Sequence, residues 1–173
     1  MLHSTQRLLK WHRLKRARNK QLKTYEKLEH PSSLAFQAWG KEAKGLFINA
    51  AEGLFSLVTG GKTHNKAGMG FLVYKKIKFE YIKQRVECEA PDQEALLTFW
   101  LTELLHAYQQ KEILFQDFDI QELSKTALKA TCYGPLLDDV AELKVQFKQI
   151  TFHEVKIEKK KTHLEATIVL DLN

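Results

Sequence analysis

Three aspartates stand where a carboxylate could bind a metal ion. Asp138 and Asp139 are adjacent in a predicted loop, and Asp171 directly follows the apolar residues 168–170. Carboxylate oxygens are the ligands that hard cations such as Ca²⁺ and Mg²⁺ prefer. Asp171 is therefore a candidate ligand for a divalent cation, although a strand end that faces solvent would have the same sequence.

Lys148 and two histidines are further polar residues that the fold could bring near Asp171. A lysine on a strand usually faces water, but beside Asp171 the ammonium group of Lys148 could bind phosphate. The chain has seven histidines, and no pair has the spacing and neighbouring carboxylates of a zinc site. His30 and His153 could nevertheless meet in the folded chain.

The motifs of several independent enzymes are absent from the sequence. The Gly-Gly-Lys-Thr stretch at residues 60–63 is not a phosphate-binding P-loop, because Ser56 stands where that motif requires its first glycine. No Ser-His-Asp order with a nucleophile elbow is present. Cys132 lies in an alternating apolar stretch, which favours a small core residue over a nucleophile. The residues therefore give no support for an independent enzyme.

The composition is typical of one soluble globular domain. The chain has 173 residues, of which 44% are hydrophobic and 28% are charged. Its two cysteines, Cys88 and Cys132, are too few for a disulfide framework. The longest apolar runs are shorter than the roughly 18 residues of a membrane span, and residues 1–23 lack the apolar core of a secretory signal. We therefore expect a cytoplasmic protein without a membrane span.

The basic charge of the chain is concentrated in residues 1–23. The formal net charge is +6, from 27 basic and 21 acidic residues. Residues 1–23 hold eight of the basic residues and none of the acidic ones, so the rest of the chain has a net charge of −2. We therefore divide the chain into a basic N-terminal extension, residues 1–23, and a globular domain, residues 24–173.

The N-terminal extension could form a basic amphipathic helix. In that arrangement Arg13, Lys15, Arg16 and Arg18 would contact RNA phosphates, and Trp11 would contact a base or a lipid. Two other interpretations stay open, because a frayed, solvated segment and an organelle transit peptide can have similar sequences. The extension alone therefore identifies no partner.

The globular domain is predicted to begin with two strands and a helix. Residue types and alternation predict strands at 24–28 and 34–39, separated by turn residues. Apolar residues then recur at three- and four-residue spacings from residue 43 to residue 58, which predicts a helix with one buried face. Gly60 and Gly61 are the expected end of this helix.

A second helix is predicted between two regions rich in strands. Asp92 is a suitable N-cap for a helix that runs to about Gln110, with Phe99 and Trp100 on its apolar stripe. Strands are predicted at 71–89 (one or two), 113–118, 120–124, 127–133, 145–155 and 163–172, the last two joined as a hairpin. Two helices among about eight strands predict a single α+β domain in which the helices cover one side of an antiparallel or mixed sheet.

Six segments, taken in order, resemble the archease family over nearly the whole globular domain. Residues 25–40 are similar to the family's entry segment, a His-Thr-Ala-Asp turn and a strand that ends in an aromatic residue and glycine. Residues 96–105 match the pattern Leu-Leu-x-x-Trp-Leu-x-Glu-Leu-Leu. The other similar segments are the helix at 49–55, Leu-x-Ala-x-x-Tyr-Gly at 128–134, the Lys-to-His strand at 148–153 and the terminal hydrophobic-Asp pattern at 169–172.

The resemblance implies a small cofactor protein of the RtcB-type RNA ligase. That ligase joins RNA ends with a 2′,3′-cyclic phosphate or 3′-phosphate to 5′-hydroxyl ends in tRNA splicing and RNA repair. The family promotes guanylylation of the ligase, and hence its multiple turnover, and presents a divalent metal ion (Ca²⁺, Mg²⁺ or Mn²⁺) beside a lysine. By position, the resemblance assigns the metal to Ser33, Asp171 and the backbone carbonyl of Leu172, and activation of the partner ligase to Lys148.

Two residues depart from the family pattern. Ser33 replaces the aspartate of the entry turn, and Gln146 replaces a glutamate that precedes the lysine. A neutral hydroxyl is a poor ligand for a hard cation, so we expect weak or absent metal affinity unless Asp138, Asp139 or a partner supplies the lost charge. An alternative function is a divergent RNA-binding or chaperone-like module that kept the fold but lost metal-dependent activation.

Overall fold

The computed structural model describes residues 24–59, 81–136 and 150–172. The elements in chain order are β1 (Tyr25–Leu28), β2 (Leu34–Gly40), α1 (Ala43–Val58), β3 (Tyr81–Glu89), α2 (Gln93–Lys111), β4 (Asp117–Leu123), β5 (Ala127–Pro135), β6 (Ile150–Lys159) and β7 (Leu164–Leu172). Residues 71–80 of the strand region predicted at 71–89, and residues 145–149 of the strand predicted at 145–155, lie outside the described residues. The predicted α+β class with two main helices is confirmed.

The seven strands in the described part of the chain form two antiparallel sheets. The four-stranded sheet has the order β1-β2-β7-β6, and the three-stranded sheet has the order β3-β5-β4. One sheet was expected, but within the described ranges β3, β4 and β5 pair only with one another, while β7 pairs with β2 and β6. The predicted hairpin is present as β6 and β7, and it places the last strand of the chain between two others.

Residues from both helices and both sheets share one hydrophobic core. The largest fully buried side chains are Trp100, Phe36, Phe47, Phe55 and Phe115. The indole N–H of Trp100 donates a hydrogen bond to the carbonyl of Phe47 at 3.2 Å, so this large side chain is buried with its polar group satisfied. The common core joins the described elements into one packed unit.

The two helices follow their sequence signals closely. Helix α1 spans the predicted residues, and α2 begins after Asp92, whose Oδ1 accepts a hydrogen bond from the Ala95 amide at 2.8 Å. Such a cap satisfies a backbone donor that has no partner in the first helical turn. Glu112, with φ of 55°, ends α2 in the left-handed conformation. Neither helix is long and apolar enough to cross a membrane.

The predicted burial of Phe99 on α2 is wrong. Its side chain is 48% exposed. The buried face of α2 also includes Leu97, Leu101 and Leu105, beside the expected Trp100. The predicted Leu96, Leu104 and Tyr108 are buried as well, so the buried face is wider than the predicted stripe, and Phe99 lies outside it.

The segment between α2 and β5 forms one strand where two were predicted. Residues 113–115 are almost fully buried but precede β4, which begins at Asp117 and continues through a register shift near Gln121. The amide of Leu114 donates to the carbonyl of Pro135, and that of Gln116 donates to Tyr133, both at 2.9 Å. The segment is thus fixed to the end of β5 by its backbone without forming a regular strand of its own.

Candidate functional site

Asp171 lies near the end of β7, between two neighbouring strands. Leu170 contributes to the core, and the alternation along a strand directs Asp171 to the opposite face. Leu34, the first residue of β2, pairs with Leu170, which brings the preceding Ser33 next to Asp171. Thr151 of β6 pairs with Asp171 on the other side. The topology therefore brings together Ser33 and Asp171, two of the predicted site residues.

A bulge in β6 brings His153 to the same carboxylate. Phe152 pairs with Leu170 and Glu154 pairs with Val169, so His153 is the extra residue that has no partner in β7. Bulges of this kind change the direction of a side chain and bend the strand. Nε2 of His153 lies 2.7 Å from Oδ2 of Asp171, so the imidazole and the carboxylate form a hydrogen-bonded pair.

The pKa of Asp171 lies below the ordinary value of a carboxyl group. The largest cause is the Ser33 hydroxyl, followed by the hydrogen bond from His153, with a smaller electrostatic contribution from His30. The carboxyl is therefore ionised near neutral pH. Because an ionised carboxylate only accepts hydrogen bonds, Nε2 of His153 carries the hydrogen in this pair.

The two oxygens of Asp171 have different environments. Oδ2 accepts a hydrogen bond from His153, whereas Oδ1 is buried and has no hydrogen-bond partner among the described residues. The Ser33 hydroxyl is nevertheless the largest cause of the lowered pKa of Asp171. The side chains of Asp171 and His153 are 31% and 48% exposed, so solvent or a partner can reach the pair from the imidazole side.

Of the remaining predicted site residues, one lies in a described strand and the others lie outside the described residues. Leu172 is the last residue of β7, and its backbone is paired with Ile150. Lys148, Asp138 and Asp139 lie outside the described residues, as do the RNA-binding candidates Arg13, Lys15, Arg16 and Arg18. The roles assigned to these residues stay predictions.

His153 is a polar partner that sequence reasoning did not assign to Asp171. From the sequence, His153 is predicted only to be able to meet His30 in the folded chain. Both histidines contribute to the electrostatic environment of Asp171, so the entry turn and β6 do converge there. The contact with Asp171 depends on one extra residue in β6, and a strand pattern does not show which residue of a bulge is unpaired.

The donor atoms at Asp171 do not make a complete metal site among the described residues. In the described ranges, no three residues of the types His, Cys, Asp and Glu converge in a geometry that could hold a metal ion. Hard cations take six to eight oxygen ligands, several of them commonly carboxylates. The described residues supply one carboxylate, and one of its two oxygens already accepts from an imidazole. The arrangement is that of a polar contact site at the end of a sheet.

The two cysteines belong to the core and not to the site. Cys88 and Cys132 are buried and unpaired with each other. Burial raises the pKa of Cys88 to about 11 and also raises the pKa of Cys132. Neither thiol is therefore a thiolate near neutral pH, and the interpretation of Cys132 as a core residue is confirmed.

Comparison with known proteins identifies a family. The model of the Archease protein family matches residues 25–172. The chain is 30% identical over 143 residues to Protein archease of Pyrococcus abyssi, with 80% of this chain and 90% of the relative covered. It is 27% identical over 155 residues to Protein archease of Methanosarcina barkeri, with 87% of this chain and 97% of the relative covered.

A solved structure has the same fold. The solution structure of Methanobacterium thermoautotrophicum protein 1598 matches with a TM-score of 0.64 and 26% sequence identity. The match covers 87% of this chain and 100% of the other. The sequence and structural comparisons therefore agree on the globular domain.

Proposed function

This chain belongs to the archease family, and we propose that it is an accessory protein that activates an RtcB-type RNA ligase in tRNA splicing or RNA repair. In this proposal it promotes guanylylation of the ligase and so allows multiple turnover, without being an independent enzyme. The observation that carries the proposal is the placement of Asp171 beside Ser33 and His153. This placement unites the entry turn and the last strand, the two segments to which the resemblance assigns the functional site.

The surface around Asp171 supports a contact with a macromolecular partner. The carboxylate is ionised and its orientation is fixed by β7 and His153, while the imidazole remains about half exposed. A polar group whose orientation is fixed before binding loses less entropy when it meets a partner. In the proposal, Lys148 acts with this site on the ligase, and the protein works in the cytoplasm.

A multiple-turnover ligation assay tests the proposal. The RtcB-type ligase from the same source, at limiting concentration, is assayed with and without the full-length protein. We expect the wild-type protein to stimulate ligation, and Lys148→Ala and Asp171→Asn each to lower the stimulation about tenfold or more, because each removes a charged group that the proposal assigns to the action on the ligase. Wild-type protein that is folded but gives no stimulation would contradict the proposal.

Asp119→Asn is the matched control for Asp171→Asn. Asp119 is an exposed carboxylate on β4, in the other sheet, so the variant makes the same chemical change away from the candidate site. We expect it to stimulate the ligase as the wild type does. Equal loss in the Asp119 and Asp171 variants would show a general effect of charge and no role for the site.

We further propose that the N-terminal extension contacts RNA. Its eight basic residues, without an acidic one, would neutralise phosphates. Replacing Arg13, Lys15, Arg16 and Arg18 together by glutamine in the full-length protein should weaken RNA binding. The slope of the logarithm of the binding constant against the logarithm of the salt concentration should become less steep, by up to about 0.7 for each lost phosphate contact to single-stranded RNA. An unchanged salt slope in a binding titration would exclude these four residues as phosphate contacts.

A further inference from the structure

The hydrogen bonds of Asp171 bear on whether its site holds a metal ion. A site with two facing carboxylates concentrates two negative charges, and a divalent cation balances both. Here the position that faces Asp171 is Ser33, which has no charge and whose hydroxyl favours the ionised carboxylate. Asp171 is therefore the one carboxylate that remains to bind a cation between these two strands in the described residues.

The geometry of Asp171 also limits access by a cation. Oδ2 lies 2.7 Å from Nε2 of His153, and Oδ1 is buried. A cation would have to displace the imidazole from Oδ2 or the atoms that cover Oδ1. Both steps act against binding, and the described part of the chain supplies no second carboxylate at the site.

We propose that Asp171 works in this protein as one half of a metal-independent carboxylate–imidazole pair with His153. In this proposal the site does not bind a metal ion because Ser33 stands where a second carboxylate would be needed. The bulge in β6 is the structural basis of the pair, because it directs His153 toward Oδ2. The inference concerns the site of the proposed function and rests on that function only for the biological role of the pair. The quantity that tests it is the affinity of the protein, without the ligase, for divalent metal ions.

The test is a calorimetric titration of the full-length protein with Ca²⁺, Mg²⁺ and Mn²⁺. The wild type should show no saturable binding tighter than about 1 mM, the weak end of protein calcium sites. Ser33→Asp should create a site that binds at least one of these ions about a hundredfold more tightly. Adding Asp171→Asn to Ser33→Asp should abolish the gain, because the second carboxylate is then lost.

Ser32→Asp is the matched control for Ser33→Asp. Ser32 is an exposed neighbour in the same turn, so the variant adds the same charge without placing it opposite Asp171. It should bind no metal ion. Micromolar binding by the wild type, lost in Asp171→Asn, would overturn the proposal, and failure of both wild type and Ser33→Asp to bind would overturn the role of Ser33.

The titration contains no ligase, so it separates this inference from the proposed function. A protein that stimulates the ligase and binds no metal ion supports both. A protein that binds a metal ion tightly and stimulates the ligase overturns only the metal-independent pair. Absence of stimulation together with absence of metal binding overturns the function and supports the pair.

Discussion

At the scale of single residues, the lowered pKa of Asp171 measures how strongly its neighbours favour the carboxylate. Ser33 is the largest cause and the hydrogen bond from His153 is the next. A carboxyl whose pKa is lowered in the folded state stabilises the fold above its unfolded pKa, and this contribution is lost as the pH falls through the lowered value. The pair therefore favours the folded state at neutral pH and loses this effect in acid, below about pH 4.

Removal of either neighbour should raise the pKa of Asp171. We expect Ser33→Ala and His153→Ala each to move it up toward the ordinary value, with the larger change in Ser33→Ala, since each variant removes a donor to the carboxylate. The measurement is a carbon-detected NMR titration of the Asp171 carboxyl. Ser32→Ala, an exposed neighbour, is the control, and an unchanged Asp171 pKa in both test variants would refute the assigned causes.

The sequence predicted part of this site for physical reasons that can be stated. Asp171 was identifiable because an acidic residue directly after an apolar strand is conspicuous, and Ser33 because the entry-turn resemblance assigned its position. The partner His153 was not assigned, because its contact depends on a bulge that changes the register of β6 by one residue. Local patterns specify which residues alternate but not where one extra residue enters a strand.

At the scale of elements, close backbone packing fixes the end of β5 against the segment after α2. A Cβ atom at Gly134 would overlap the backbone carbonyl of Leu114. Gly134→Ala should therefore lower the free energy of unfolding by about 1–3 kcal/mol, the usual cost of overpacking, measured by denaturant unfolding. The position requires glycine because two backbone segments meet there.

Gly45→Ala is the control for Gly134→Ala. A Cβ at Gly45 of α1 would meet only the Cα of Gly40, at 3.8 Å. Alanine is also favoured over glycine inside a helix by up to about 1 kcal/mol, so this variant should be neutral or slightly stabilising. A loss of stability in Gly45→Ala as large as in Gly134→Ala would show that the assigned overlap is not the cause.

The elements differ in how well their sequences specify them. Helix α1 and the start of α2 have strong local signals, a periodic apolar stripe and the cap Asp92, and both were predicted closely. Residues 113–115 are apolar because they are buried in the core. A buried apolar segment that lacks the regular backbone pairing of a sheet has the same composition as a strand. The exposure of Phe99 likewise depends on which neighbours cover α2, which periodicity alone does not determine.

At the scale of the whole molecule, α2 connects the two sheets. It packs on β3 of one sheet and β6 of the other. Oε1 of Glu94, in the first turn of α2, accepts a hydrogen bond from the backbone amide of Ile157 in β6 at 2.9 Å. The strand that contains His153 is therefore held against the common core, which keeps the imidazole in place beside Asp171.

The division into two sheets could not be predicted from the strands alone. Alternating patterns identify individual strands, whereas strand order depends on pairings between distant residues, such as Leu34 with Leu170. The family resemblance assigned Ser33 and Asp171 to one site but gave no strand order, and the match over residues 25–172 confirms the family. The assembly of the site from both ends of the globular domain follows from that topology.

The most direct test of the central claim is the rate at which the RtcB-type ligase forms its covalent guanylate from GTP. This single step is measured with the ligase alone and with the wild-type, Asp171→Asn or Asp119→Asn protein. We predict about tenfold or greater acceleration by the wild type and by Asp119→Asn, and little by Asp171→Asn. The same rate with and without the wild-type protein, or full acceleration by Asp171→Asn, would contradict the claim that this site activates the ligase.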